Sequence, residues 1–222
     1  FDFDQKGNMF ISDRLNHQIR KVDAKGNITT IAGTGESAYY GDGGPASEAA
    51  FRDPSALATD KEGNLYVADG ANNMIRKIDT KGMIATIAGN GKHDNTGDGG
   101  PALKAAIRNM DYLNVSPKGE LHIVGMNSNT VRKITKDGKI VTVAGRGYQG
   151  YSGDGGPAPK AMLKSPVAIA FDSKNNMYIS DMGNNRIRKV DSNGIISTFA
   201  GTGNFGWAQD GETVEIYLHK FP

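Results

Sequence analysis

The fold is indicated by a stretch that recurs along the chain, Asp69-Gly70-Ala71-Asn72-Asn73-Met74-Ile75-Arg76-Lys77-Ile78-Asp79. Its Ile-Arg-Lys tripeptide also occurs at positions 19–21 and 187–189, and Val-Arg-Lys at 131–133 is a near copy, always with a spacing of 56 residues. A fixed period of this length is typical of repeat proteins, in which each repeat is one supersecondary unit. Four such periods would be 224 residues, and the chain has 222.

Two further motifs follow the same period. Ala-Gly recurs at Gly33, Gly89, Gly145 and Gly201, and Gly-Asp-Gly-Gly-Pro-Ala recurs from Gly41, Gly97 and Gly153, with an eroded fourth copy at 209–214. We therefore divide the chain into repeats at approximately 1–53, 54–109, 110–165 and 166–222. Because the first and last of these begin and end inside a repeat, we expect either flanking sequence or a ring that closes across its ends or with another copy.

Each period predicts four short strands, which in the second repeat are 55–59, 64–68, 74–79 and 83–88. The strands are rich in Ile, Val, Tyr and Thr, and the turns between them carry Gly, Asn and Asp. Consecutive hairpins make an antiparallel meander, and tandem four-stranded sheets that bury their faces on each other predict an all-β propeller. A short helix beginning at proline is predicted in each long connection, at 45–51, 101–107 and 157–163.

These motifs resemble the NHL-repeat family, with Asp181-Met182-Gly183-Asn184-Asn185-Arg186-Ile187 as the best match. Together with the Ala-Gly and Gly-Asp-Gly-Gly-Pro-Ala segments, they look like the long, bacterial type of NHL repeat. The resemblance covers essentially the whole chain and implies one β-propeller domain or part of one, usually of six blades. It implies little about activity, because one fold serves many functions.

Composition excludes several classes of function. The 26 Lys+Arg against 24 Asp+Glu give a net charge of +2, without the basic excess that nucleic-acid binding needs. Cysteine is absent, which excludes disulfides and thiolate metal sites, and no apolar run is long enough for membrane insertion. No cofactor is predicted.

An arginine is present at one position of every repeat, and a residue that every repeat carries is expected to serve packing between blades. The predicted structural residues between blades are Arg20, Arg76, Arg132 and Arg188, with Asp13, Asp69 and Asp181 as partners. The third repeat has Gly125 at the aspartate position. A ring of cations that binds an anion is the alternative.

Carboxylates in the glycine-rich loops, at Asp42, Asp98, Asp154 and Asp210, could suggest calcium. Each loop offers a single carboxylate, so we interpret these residues as turn-forming or helix-capping. A divalent cation in the channel stays an alternative, since Asp2 and Asn114 are the polar residues at their shared position.

Aromatic residues in the long loops are the candidate ligand contacts, because rings beside Gly and Asp can stack on sugars or anchor a protein. The predicted ligand-binding residues are Tyr39, Tyr40, His93, Tyr148, Tyr151, Phe205 and Trp207. Alternatively, each ring covers its own loop. The third repeat departs most, with Met110-Asp111-Tyr112 where others have Pro-Ser-Ala or Pro-Val-Ala.

These features favour a non-catalytic binding scaffold that recognises a protein or a glycan through its long-loop face. This is the face that carries the connections between repeats and the turns between the second and third strands of each repeat. We expect it outside a bacterial cell or in the cell envelope, with self-association if the ring is open. The alternative is a metal-dependent hydrolase, lactonase-like or lyase-like, on a six-bladed propeller. A stoichiometric divalent ion in the channel would favour the enzyme.

Overall fold

The computed structural model describes residues 1–205 and consists of four sheets with four strands each. The first sheet contains β1 (Asp2–Phe3), β2 (Met9–Asp13), β3 (Gln18–Val22) and β4 (Ile28–Ala32), and the second β5 (Pro54–Thr59), β6 (Leu65–Asp69), β7 (Met74–Ile78) and β8 (Ile84–Ala88). The third contains β9 (Tyr112–Val115), β10 (Leu121–Gly125), β11 (Thr130–Ile134) and β12 (Ile140–Ala144), and the fourth β13 (Pro166–Phe171), β14 (Met177–Asp181), β15 (Arg186–Val190) and β16 (Ile196–Ala200). In every sheet the spatial order follows the sequence order, and the sheets are antiparallel meanders, as predicted.

Asparagine, aspartate and glycine close the turns by the chemistry that the sequence indicated. Between β7 and β8, one carboxylate oxygen of Asp79 accepts the N–H groups of Lys81 and Met83, both at 2.9 Å. Between β6 and β7, a 3-10 turn at Gly70–Asn72 ends on Asn73 in the left-handed conformation. These local bonds fix where each strand stops.

The short helix predicted in each long connection is a single 3-10 turn. These turns are Ala46–Glu48, Ala102–Lys104 and Ala158–Lys160, each directly after the proline. The preceding prolines are extended and form bridges with the next sheet, as Pro101 does with Lys139. Pairing with a neighbouring strand therefore overrides the helix propensity of the alanine-rich segment.

The glycine-rich loop after each of the first three sheets pairs with the outer edge of the following sheet. The N–H of Gly43 donates to the carbonyl of Ile84 at 2.8 Å, and the N–H of Ile84 donates to the carbonyl of Gly44 at 3.0 Å. Further along, the N–H of Ala46 donates to the carbonyl of Gly82 at 2.8 Å. The loops that follow the second and third sheets repeat this pattern with Ile140 and Ile196.

The chain divides into two compact units. One comprises Phe1–Ile123 and Lys133–Val141, and its two apolar clusters centre on residues such as Phe51, Val67, Ile107 and Leu113. The other comprises, among the described residues, Val124–Arg132 and 142–205, and it buries Leu163, Ile169, Ile179 and Ile196. No helix among the described residues has the length and hydropathy needed to cross a membrane.

Candidate binding site

Arg76 is fully buried and connects the first sheet's loop to the second sheet. The β7–β8 ladder shifts register between Ile75 and Arg76, which sets Arg76 opposite Thr86. Its Nε donates to Asp42 at 2.9 Å, and its Nη1 lies 3.4 Å from the carboxylate of Asp69. The guanidinium also donates to the carbonyls of Ala50 and Tyr40, each at 3.2 Å. This arginine is a structural link, because its hydrogen-bonding capacity goes to protein atoms.

The two acids around Arg76 differ in environment. Asp69 is fully buried and accepts the backbone N–H of Arg52 at 2.7 Å and the amide of Asn72 at 2.9 Å. Burial raises the pKa of Asp69, despite these bonds and the Arg76 charge. Burial also acts to raise the pKa of Asp42, but hydrogen bonds from Thr86 and the charge of Arg76 outweigh it, and the pKa of Asp42 is lowered.

Asp42 does not cap the turn that follows it, where no side-chain capping bond exists. Its carboxylate instead accepts bonds from Arg76 and Tyr39. The sequence interpretation of this residue as turn-forming or helix-capping therefore misses its main contact, which lies 34 residues further along the chain.

Tyr39 and Tyr151, predicted as ligand contacts, lie against these arginine sites. The Tyr39 ring is 5.0 Å from the Arg76 guanidinium, and its hydroxyl bonds to Asp42 and Thr86, both at 3.0 Å. Both rings remain partly exposed. Both tyrosines lie beside the outer strand of the following sheet, and their hydroxyls contact a threonine of that strand. They therefore contribute to packing between a loop and a sheet, whether or not they also bind a ligand.

The fourth sheet repeats this arrangement. Arg188 contacts Asp154 at 2.5 Å and Asp181 at 3.3 Å, and the Tyr151 ring lies 4.8 Å from its guanidinium. The Tyr151 hydroxyl bonds to Thr198 at 2.9 Å. The recurring threonine thus completes the site around the arginine.

The first and third sheets depart from this pattern. Arg20 is partly exposed, and its acidic partner among the described residues is Asp13 at 3.4 Å. Arg132 is buried, but Gly125 stands at the aspartate position, where Ser128 donates to the Gly125 carbonyl at 3.1 Å.

The other predicted ligand contacts lie in separate long loops. The Tyr40 hydroxyl donates to Glu36 at 2.8 Å. Tyr148 and Phe205 are exposed, and the Arg146 guanidinium lies 5.8 Å from the Tyr148 ring. Trp207 and Asp210 lie outside the described residues.

A polar cleft of about 260 Å³ lies on the long-loop face of the first unit, where inner strands begin and the β6–β7 turn projects. Its lining residues are Arg14, Asp53, Ser55, Gly70, Ala71, Asn73, His93, Asn109, Met110 and Asp111. It brings together His93 and the divergent Met110-Asp111 pair, which the sequence had singled out separately. Arg14 was missed, because a lone arginine in a turn carries no distinctive pattern.

Charge and hydrogen bonding organise this cleft. Arg14 forms a two-bond pair with Asp53, one bond measuring 2.6 Å. The hydrogen bond from Arg14 and its charge hold the pKa of Asp53 below its usual range. Nδ1 of His93 lies 3.1 Å from Oδ1 of Asn73, at hydrogen-bond distance.

The side chains that give this cleft its chemistry differ between repeats. His93 aligns with Ser37 and Gln149, and Asp111 aligns with Ser55 and Val167. Arg14 likewise aligns with Gly70, Met126 and Met182. The repeated residues Arg76 and Arg188 join a loop to the following sheet, whereas these variable residues lie in the loops and at the starts of strands.

The predicted channel residues Asp2 and Asn114 line a second cleft of about 280 Å³. The Asp2 carboxylate accepts the backbone N–H of Thr59 at 2.6 Å and its hydroxyl at 2.8 Å. Within residues 1–205, no three His, Cys, Asp or Glu side chains group closely enough to hold a metal ion.

Comparison with known proteins identifies the family. The model of the teneurin NHL domain matches residues 34–96 and 147–212. Teneurin-m of Drosophila melanogaster is 29% identical over 88% of this chain, and teneurin-1 of Gallus gallus is 30% identical over 87%. The chain spans only 8% of the length of either relative.

Solved structures support the fold. Virginiamycin B lyase from Staphylococcus aureus superposes with a TM-score of 0.55 at 22% identity, over 89% of this chain and 53% of that one. An auxiliary nutrient binding protein from Bacteroides ovatus gives 0.60 at 15% identity, over 90% and 46%. The NHL-repeat and β-propeller predictions are confirmed. The teneurin relatives are animal proteins, and they give the predicted bacterial source no support.

Proposed function

Because the chain belongs to the teneurin NHL-domain family, we propose that it is a non-catalytic propeller module that binds a protein partner outside the cell. The cleft around Arg14, His93 and Asp111 is the contact site. A protein is favoured over a glycan because the cleft offers charged groups of both signs, whereas Tyr39 and Tyr151 already contact buried arginines.

The main support for this proposal is that the side chains lining this cleft differ between repeats. Near-identical sheets present the same side chains in every repeat. A specific partner therefore has to be recognised by side chains that one repeat has and the others lack. Arg14, His93 and Asp111 are such residues, and they surround one concave surface.

The test is binding of the biotinylated chain to an array of secreted and cell-surface ectodomains, with a glycan array in parallel. We expect at least one ectodomain to bind and the double variant Arg14→Ala/His93→Ala to weaken that binding about tenfold or more. Arg14 is mostly exposed, so the variant should fold.

The matched control is Lys81→Ala in the β7–β8 turn, at the opposite end of the strands, which should bind like the wild type. Equal binding by the cleft variant would place the contact elsewhere. Binding to glycans alone would reject a protein partner.

A further inference from the structure

One isoleucine position separates the first sheet from the other three. Ile84, Ile140 and Ile196 begin the outer strands of their sheets and are at most 1% exposed, whereas Ile28 at the same repeat position is 53% exposed. The three buried residues are each paired with a glycine-rich loop through backbone hydrogen bonds. No described residue forms the corresponding bonds with Ile28.

The arginine site of the first sheet is incomplete in the same way. Arg76 and Arg188 each contact two carboxylates and a tyrosine ring, and both side chains are fully buried. The Arg20 side chain is 28% exposed, and among the described residues it contacts one carboxylate, that of Asp13 at 3.4 Å. Thr30 lies opposite Arg20 as Thr86 lies opposite Arg76, and it is exposed.

The complete sites show which groups would occupy the corresponding place beside Arg20. In both of them, one loop supplies an aspartate, an aromatic residue three positions before it and the backbone of the following glycines. Tyr39 and Asp42 supply these groups to Arg76, and Tyr151 and Asp154 supply them to Arg188.

We propose that the outer edge of the first sheet, formed by Arg20, Ile28 and Thr30, is a docking site for a Gly-Asp-Gly-Gly-Pro-Ala loop of a further repeat. The loop's aspartate pairs with Arg20, its aromatic ring covers the guanidinium and its glycines pair with the backbone of Ile28. The charge of Arg20, the exposed side chain of Ile28 and a strand edge that no described residue pairs all match this one occupant.

The test joins a second copy of residues 33–56 to the N-terminus of the chain. The copy ends at Ala56 because Phe1 and Leu57 share a repeat position, so the loop enters with its natural spacing. The comparison chain carries Tyr39→Ala and Asp42→Ala in the added copy alone. We expect the intact copy to raise Tm by about 4 °C or more over the comparison chain. We also expect it to slow exchange of the Ile28 amide roughly tenfold.

Arg20→Ala should abolish the difference between the two extended chains. If that variant does not fold, Thr30→Val tests the same contact, and it should reduce the difference. Equal Tm and equal Ile28 exchange in the two extended chains would overturn the proposal. Concentration-dependent protection of Ile28 in the unextended chain would assign the edge to a second copy and would also overturn it.

Discussion

Arg76 and Arg188 carry buried charges. In each case two carboxylates, backbone carbonyls and an aromatic ring contact the guanidinium and offset the loss of hydration. Removing a charge from water is costly, and an ion left without its partner in the interior is costlier still. Arg20 occupies the same repeat position but is partly exposed, so it can be compared with the two buried arginines.

Replacing Asp69 by alanine should therefore destabilise the protein strongly. We expect the free energy of unfolding to fall by about 3 kcal/mol or more, because Arg76 would lose a fully buried carboxylate. Asp13→Ala is the matched control and should cost about 1 kcal/mol, since water reaches that pair. Urea denaturation measures both, and equal losses would contradict the role of burial.

His122 is a second residue whose burial has a measurable consequence. It occupies the position of Phe10, Tyr66 and Tyr178 in the other sheets, and its Nδ1 lies 2.9 Å from the carbonyl of Glu120. Burial lowers the pKa of His122 to about 4, and the positive charge of Lys133 nearby acts in the same direction. The folded protein thus holds this imidazole neutral well below the pH at which the unfolded chain protonates it.

Stability should consequently decrease as the pH falls through the window between the unfolded and folded pKa values of His122. From about pH 6.5 to about pH 4 the unfolded state binds the proton more tightly, and the loss attributable to this group is on the order of 3 kcal/mol. His122→Phe should remove this part of the acid sensitivity. Urea denaturation at about pH 7.5 and about pH 4.5 tests it, and an unchanged difference between the two pH values would argue against this residue.

At the residue scale, the sequence predicted which side chains are repeated but not every contact they make. The pairing of Asp69 with Arg76 could be anticipated because both lie in one motif. The role of Asp42 could not, because its partner belongs to the next repeat. His93 and Asp111 stood out as departures from the repeat, whereas their convergence with Arg14 on one cleft depends on how three connections fold.

Among the structural elements, the glycine-rich loop is the one that joins sheets. Gly97 has a φ of +82°, and a Cβ at this position would lie 2.8 Å from the Cα of Ala105. Gly99, two residues later, has a φ of +80° with nothing near its Cβ position. Gly99 is therefore needed for its backbone conformation alone. Gly97 is needed both for its backbone conformation and for the close approach of the Ala105 backbone.

Alanine at these two positions should separate the two requirements. Gly99→Ala should cost about 1 kcal/mol for the left-handed conformation alone. Gly97→Ala should cost about 2 kcal/mol more, because the backbone of Ala105 must move. Thermal or urea unfolding distinguishes the two variants, and equal losses would mean that the loop relaxes around the added methyl group.

The strands of the second sheet begin and end within one residue of the predicted positions, because alternating apolar residues and turn chemistry are local signals. The predicted helix at 101–107 failed for a reason that local sequence does not contain. Ala102–Lys104 makes one helical turn, and the flanking Thr96 and Ala106 pair with each other while Pro101 pairs with Lys139. Tertiary pairing across the repeat decides this segment.

Across the whole molecule, stability in a repeat architecture comes from each sheet and from its contacts with neighbours. The outer strands β8, β12 and β16 each receive a loop from the preceding repeat, and the described part of the chain provides none for β4. The four repeats are similar in sequence, so this difference in neighbours should govern where the protein opens first.

We therefore expect hydrogen exchange to be uneven among equivalent strands. Amides of Ile28–Ala32 should exchange at least about tenfold faster than those of Ile84–Ala88, since within residues 1–205 no loop of a preceding repeat is hydrogen-bonded to β4. The internal control is the preceding strand, because Gln18–Val22 is paired on both sides and should exchange more slowly than Ile28–Ala32. Exchange measured by mass spectrometry on the equivalent peptides decides between the alternatives. Equal rates in the outer strands would mean that intrinsic strand pairing, and not the loop of the preceding repeat, sets local stability.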